Sequence, residues 1–428
     1  MSAPESPALP VRAATPTRAR YGVLGFTLLL SAIAYLDRVC ISTAAPAITA
    51  DLGLTKAQMG CVFTAFSFAY AMMEVPAGWL ADRFGPRLML TRVVIWWSLF
   101  AAMTGFAWGF ASLFAVRLLF GFGEAGCYPG ISRSYARWLP MRDHGRAFGL
   151  CIMIGTLGGA ATQPLVVAML GVMNWRHIFP IFGAVGIAWA LAWLWWFRDD
   201  PHRHAGVNAA ELELIGSEPP TAHPPVPWAR LMRSRNLLAL CAMYFSAIYG
   251  WFFYLTWLPT YLLEARGFNM TQVGWLAAMP LTGIAVGVMA GGWFSDALAR
   301  RLGTRWGRRL PGLIGLPAAA VAVVCAVATR EPMTAALLLA AAAGLAALGV
   351  APGWAACLEV GGAHTGVVTG AMNTFGNLGG ALSPMVVGLC VQHLGSYDMP
   401  LLTMAAFYLV AAASWLVIDA SKPLLRET

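Results

Sequence analysis

Twelve apolar runs, each about as long as a bilayer is thick, leave this 428-residue chain very little choice of fold. A helix crosses the hydrocarbon core in roughly 20 residues. The runs lie near 21–48, 57–80, 88–109, 112–138, 145–170 and 177–197, then near 236–263, 271–298, 310–329, 333–357, 365–392 and 398–418. Between the two sets of six lies a polar stretch rich in Pro, His and charge (RDDPHRHAG, SEPPTAHPPVP). Charged residues make up only 11 % of the chain and apolar ones 59 %, whereas a soluble domain carries about a quarter charged residues. The expected fold class is an all-α integral membrane protein, twelve transmembrane helices in two six-helix bundles. The expected divisions are a disordered cytoplasmic tail at 1–20, a first bundle at 21–197, a cytoplasmic linker at 198–235, a second bundle at 236–420 and a short tail at 421–428.

The net charge of +9 reads as topology, not as a nucleic-acid surface. Arginines gather in alternate loops: Arg83, Arg87 and Arg92; Arg137, Arg142 and Arg146; Arg198 to Arg235; Arg300 to Arg309. The opposite loops hold little beyond Lys56, Arg176, Arg266 and Arg330. Basic residues stay on the cytoplasmic side, so both termini and the linker are expected there, in a multi-pass plasma-membrane protein of the bacterial inner-membrane kind. The first run is too long for the core of a cleavable signal peptide and is expected to remain as span 1. Eight cysteines scatter through apolar segments with no CxxC and no Cys/His cluster, which argues against a metal site or a disulfide framework. No GxxxxGK[ST] occurs, so ATP drive is not expected. No HExxH or comparable constellation supports an intramembrane enzyme, and no cofactor is expected.

A repeat divides the chain at its middle. Gly78-Trp79-Leu80-Ala81-Asp82 follows span 2, and Gly292-Trp293-Phe294-Ser295-Asp296 follows span 8, at an offset of half the chain length. Parallel repeats of this kind mark transporters whose site lies near the midplane, between the halves.

Inside that apolar frame a few charges stand out. Asp37 and Arg38 sit within span 1; Arg117, Gly121 and Glu124 sit in span 4 at i, i+4 and i+7, on one helical face. Exposed to lipid, the four charges would cost on the order of 10–14 kcal/mol. They must pair or face a wet cavity. A purely structural ion-pair cluster is the plainer reading, but buried pairs contribute little net stability compared with apolar replacements, which favours function. With both acids ionised the cluster is about neutral, and each arginine is expected to be engaged by a carboxylate. Protonating one acid then frees an arginine for an anion, so that proton and anion bind together.

At this point the chain resembles the major facilitator superfamily. Gly78, Leu80, Asp82, Arg83, Gly85 and Arg87 match its loop 2–3 signature, and the copy around Asp296 agrees. The acid and arginines there are read as a gate that pairs charges across the cytoplasmic face: Gly78, Asp82, Arg83, Arg87 and Asp296. Finer features resemble the anion:cation symporter family: Tyr35-Leu36-Asp37-Arg38, RLLFGFGEAGCYPG at 117–130, FFYLTWLPTYL at 252–262 and GAMNTFGNLGGALSP at 370–384. Cys40 stands where many members carry Asn, and Glu74 occurs in only part of that family.

The resemblance implies Arg38 and Arg117 as anion-binding residues and Asp37 and Glu124 as proton carriers; which acid is the obligatory carrier stays open, with Glu124 favoured for the proton step. It also implies polar contacts from Tyr35, Tyr70, Gln163, Asn373 and Asn377. Glu74 is expected to pair with a gate arginine. The function expected is proton-coupled symport of a small organic anion, sugar acids (aldonates, aldarates, hexuronates) first, aromatic acids and dicarboxylates behind them. A proton/drug antiporter is the less favoured alternative, since it predicts acids without accompanying cavity arginines. The partners expected are the anion, the proton and the bilayer, with no nucleic acid, and the protein is expected to be a monomer.

Overall fold

The computed structural model describes residues 15–216, 231 and 233–422, less the side chains at 75, 78, 79, 81, 82 and 363. The expectations for 1–14, for the middle of the linker and for 423–428 lie outside these residues. Among the described residues every regular element is a helix. Nine helical units are long and apolar enough to cross a membrane. One of them, Met270–Ala328, runs to 59 residues and carries spans 8 and 9. The 49-residue Lys56–Thr104 carries spans 2 and 3 in the same way, which completes twelve crossings.

Each double-length helix turns back on itself at a glycine. A straight 59-residue helix would be about 90 Å long, some three times the hydrocarbon thickness. The reversal occurs at Gly85 (φ 75, ψ 155) and Gly303 (φ 80, ψ 164), in a region that side chains rarely adopt. The two bends therefore fall in the loops that carry the sequence repeat, the second four residues later than the motif offset would place it.

Three other spans are interrupted partway. Span 4 divides into Phe110–Glu124 and Cys127–Trp138; Pro129, with no N–H to give, leaves the Ala125 carbonyl without its helical partner. Span 7 divides at Trp257 into Arg235–Thr256 and Leu258–Glu264, with Pro259 near the start of the second piece. Span 10 divides into Pro332–Ala347 and Val350–Gly361 around Leu348 and Gly349. Spans 1, 5, 6, 11 and 12 are single helices: Ala19–Leu52, Met141–Leu170, Trp175–Trp196, Thr365–Leu394 and Asp398–Val417.

Of the tail expected at 1–20, residues 15–20 are described, and span 1 begins within them at Ala19. The linker forms a short helix, Ala209–Ile215, whose Glu211 is fully buried. Glu211 accepts the backbone N–H groups of Ala19 and Arg20 and pairs with the Arg20 guanidinium at 3.0 Å. The first N–H groups of a helix have no intrahelical acceptor, and its positive end attracts an anion. A linker carboxylate thus caps span 1.

Within the first half, span 1 packs on span 5, and spans 2 and 3 pack on 4 and 6. Within the second, spans 8 and 9 pack on 10 and 12, and span 7 on 11 and 12. The halves meet along two seams, span 2 against 11 and span 5 against 8. At the end of the molecule away from the chain termini, polar bonds from span 2 to spans 7 and 11 close the halves. Lys56 Nζ lies 2.5 Å from Glu264, Ala57 N donates to Gln392 at 3.0 Å, and Thr64 donates to the Ala381 carbonyl at 2.7 Å.

Candidate functional site

Span 1 carries its two charges in different directions, because adjacent helical residues point about 100° apart. Arg38 reaches span 4, where its Nε donates to Glu124 Oε1 at 2.5 Å. Glu124 is fully buried at the end of Phe110–Glu124. The Arg38 guanidinium sits among four aromatic rings: Tyr70 at 4.8 Å, Tyr35 and Phe66 at 5.5 Å, and Tyr128 at 5.9 Å from the ring centres. Aromatic faces hold a cation well once water is removed. Tyr35 and Tyr70, expected as polar contacts of the anion, lie against the Arg38 guanidinium.

Arg117 is only 2 % exposed and stacks over Phe120 at 4.2 Å and Phe66 at 5.4 Å. Its Nε and Nη1 have no hydrogen-bond partner, and neither has Arg38 Nη2. Asp37, 3 % exposed, interacts electrostatically with Arg117 and lies by the Trp97 indole of span 3. No Asp37–Arg117 ion pair closes, and Asp37 Oδ2 is also without a partner. One arginine is engaged by a carboxylate and the other is not, which corrects the expectation of two matched pairs. The reason is directional: with Arg38 turned toward Glu124, its neighbour Asp37 is carried to the side of the helix that faces span 3.

The two arginines share a cavity of about 20 Å³ at the junction of the halves, room for a water molecule or so. Arg38, Phe66 and Arg117 line it from the first half; Phe252, Leu255 and Thr256 of span 7 line it from the second. Gly121 does not widen this space. A Cβ there would lie 2.4 Å from the Phe66 carbonyl oxygen, so the glycine serves the close contact of spans 2 and 4.

The remaining polar residues have partners of their own. Gln163 accepts a hydrogen bond from Thr43, tying span 5 to span 1, while its Nε2 is unpartnered. Asn373 and Asn377 share a face of span 11, as their spacing predicts, and both donate to Glu74 of span 2, Asn377 at 3.0 Å. Glu74 therefore joins the two halves through amides, where a gate arginine was expected.

Of the expected gate residues, Arg87 and Asp296 make contacts within their own halves. Arg87 donates to the Leu194 carbonyl at 3.1 and 2.6 Å, and its N–H to Asp199 at 2.9 Å. Asp296 accepts from Arg308 at 2.5 Å, and Arg308 also pairs with Glu359 at 2.8 Å. Arg83 lies over the Phe84 ring at 5.8 Å. Gly78 and Asp82 lie outside the described side chains. These contacts fix helix ends within each half; none of them bridges the two.

Sequence reasoning missed Phe66, Trp97, Tyr128, Thr43 and the linker residue Asp199. Two had a signal: Tyr128 lies one turn from Glu124 and Phe66 one turn from Tyr70, on the same faces. Among the described residues no group of three His, Cys, Asp or Glu is placed to hold a metal ion.

Comparisons with known proteins bear on this geometry. The family model described as Major Facilitator Superfamily matches residues 27–384 and 271–427. The chain is 36% identical over 409 residues to the probable sulfoacetate transporter SauU of Cupriavidus necator, covering 94% of each. It is 30% identical over 426 residues to the probable galactarate/D-glucarate transporter GudP of Escherichia coli, again with 94% of each covered. The hexuronate transporter of Bacillus subtilis is 29% identical over 409 residues, 95% of each. Among solved structures, a bacterial homologue of the human lysosomal transporter Spinster superposes with a TM-score of 0.76 at 20% identity, covering 94% of this chain and 97% of that one. That likeness is one of fold.

Proposed function

Since the chain belongs to the Major Facilitator Superfamily, we propose that it is a proton-coupled symporter that brings a small organic anion into the cell by alternating access. The observation that carries this reading is the unequal pairing of the two cavity arginines: Arg38 is bound to Glu124, and Arg117 is buried with unpartnered N–H groups. An anion supplies what Arg117 lacks. Relatives named as transporters of sulfoacetate, galactarate and hexuronate support the organic-anion class.

The coupling step follows from the Arg38–Glu124 pair. A proton on Glu124 weakens its hold on Arg38 and leaves the cavity net positive, so the anion enters a site that two guanidinium groups attract. Deprotonation of Glu124 restores the pair and expels the anion. Asp37, on the other side of Arg117, sets the charge against which that arginine acts. On this reading Tyr35 and Tyr70, beside Arg38, and Gln163 of span 5 add polar contacts to the anion. Neither proton nor anion binds favourably alone, because each would leave a buried charge uncompensated.

Proton/drug antiport fits less well, since two arginines in the cavity repel an organic cation. The arginine-rich loops support a cytoplasmic side for both termini, and on this reading the end closed by Lys56 and Glu264 faces outward.

The test is uptake into proteoliposomes of purified protein under an acid-outside gradient, with labelled organic acids. Uptake should collapse with a protonophore, and the Glu124→Gln protein should lose gradient-driven uptake while still exchanging internal for external anion. Proton-driven uptake that survives in Glu124→Gln, with exchange lost, overturns the assignment.

A further inference from the structure

We propose that the anion is a compact one with two acidic groups and few or no hydroxyls, a short sulfonate–carboxylate or dicarboxylate, in preference to a sugar acid. The inference rests on the organic-anion reading above and narrows it. Its first support is spacing. Both guanidinium carbons lie close to the Phe66 ring centre, 5.5 Å for Arg38 and 5.4 Å for Arg117, so they are no more than about 11 Å apart. Both line one cavity. A molecule that reaches both with acidic groups spans only a few carbons.

Its second support is the poverty of hydrogen-bonding groups opposite the arginines. The facing wall is Phe252, Leu255 and Thr256, and the Thr256 hydroxyl donates to the Phe252 carbonyl of its own helix at 2.5 Å. Between Ala335 and Leu358, span 10 has Trp354 and the thiol of Cys357 as its only polar side-chain groups. The Trp354 indole donates to Tyr244 at 3.2 Å. Its alanines 343, 346 and 347 line a second small cavity inside that half, together with Trp251, Tyr254 and Tyr408. Asn373 and Asn377, the amides best suited to sugar hydroxyls, are held by Glu74.

A polyhydroxylated acid carries several hydroxyls out of water, and each one left unbonded weakens binding. Few groups on this wall answer them. A compact dianion instead places its charge on the guanidinium groups and its short carbon body against Phe66, Phe252 and Leu255.

The experiment is competition against the uptake of labelled sulfoacetate and, in parallel, of labelled galactarate in proteoliposomes. The competitors are chosen in pairs that differ only in hydroxyls: succinate with tartrate, and adipate with galactarate. Succinate should compete at least about tenfold better than tartrate, and sulfoacetate should be taken up in preference to galactarate. Leu255→Asn, which offers the wall an amide, should narrow the succinate–tartrate gap. Tartrate or galactarate competing as well as its hydroxyl-free partner overturns the compact-anion inference and leaves the organic-anion reading standing. Uptake of neither label, with no acid of the panel binding in thermal-shift measurements, overturns the organic-anion reading itself.

Discussion

At the scale of single residues the two cavity arginines are not interchangeable, although the sequence presents them alike. Arg38 is half of a buried pair, and removing one partner of such a pair strands the other charge at a cost of about 3–5 kcal/mol. Arg38→Ala should therefore lower thermal stability clearly, and adding Glu124→Ala should recover part of the loss; thermal unfolding of the purified variants in detergent checks both. Arg117 has no carboxylate bonded to it and is held by stacking on Phe120 and Phe66. Lysine keeps the charge but loses the flat face that stacks. Arg117→Lys should leave stability nearly unchanged while raising the KM for uptake about tenfold or more, which saturation curves measure. The buried charges were legible because charge inside an apolar run is costly and therefore conspicuous. How they pair was not legible, because pairing depends on which way each helix faces its neighbours.

At the scale of helices, the contact that periodicity least prepares one for is Glu74 with Asn373 and Asn377. The i, i+4 spacing of the asparagines put them on one face, and the structure keeps them there. Their partner lies on a span of the other half, some 300 residues away, and no local pattern points across that distance. Twelve crossings were legible from run length and hydropathy, and the two bends at Gly85 and Gly303 fell in the repeat loops. The breaks in spans 4, 7 and 10 were less so, because an interruption of one or two residues leaves hydropathy unchanged. The Glu74 clasp holds span 2 against span 11, so these helices can separate only if it opens. Glu74→Gln keeps a hydrogen-bonding side chain and should retain most transport. Glu74→Ala removes all acceptors, leaves two amides unpartnered, and should reduce turnover severalfold with little change in KM. A large rise in KM without loss of turnover would instead make Glu74 a substrate contact.

At the scale of the whole molecule, two six-helix halves meet on seams that have to work as pivots, and the closed end shows how one seam works. Span 2 approaches span 11 closely through Gly60. A Cβ at that position would lie 2.6 Å from the Pro384 carbonyl oxygen and 3.3 Å from the Gly388 Cα. Backbone cannot give way as a flexible side chain can, so a larger residue there must push the two helices apart at the end also held by Lys56 and Glu264. That ion pair is partly exposed, and such pairs contribute about 1 kcal/mol or less; the close backbone packing is the firmer part of the closure. Gly60→Leu should shift the population toward conformations open at this end. Spin labels at the exposed positions Ala50 and Thr271, in a background with the eight cysteines replaced, read the separation directly. The expected result is a longer distance in Gly60→Leu than in the parent, with Lys56→Glu giving a smaller lengthening in the same direction. An unchanged distribution in Gly60→Leu would mean that this end is closed by contacts elsewhere along the seam, and that the pivot lies beyond Gly60.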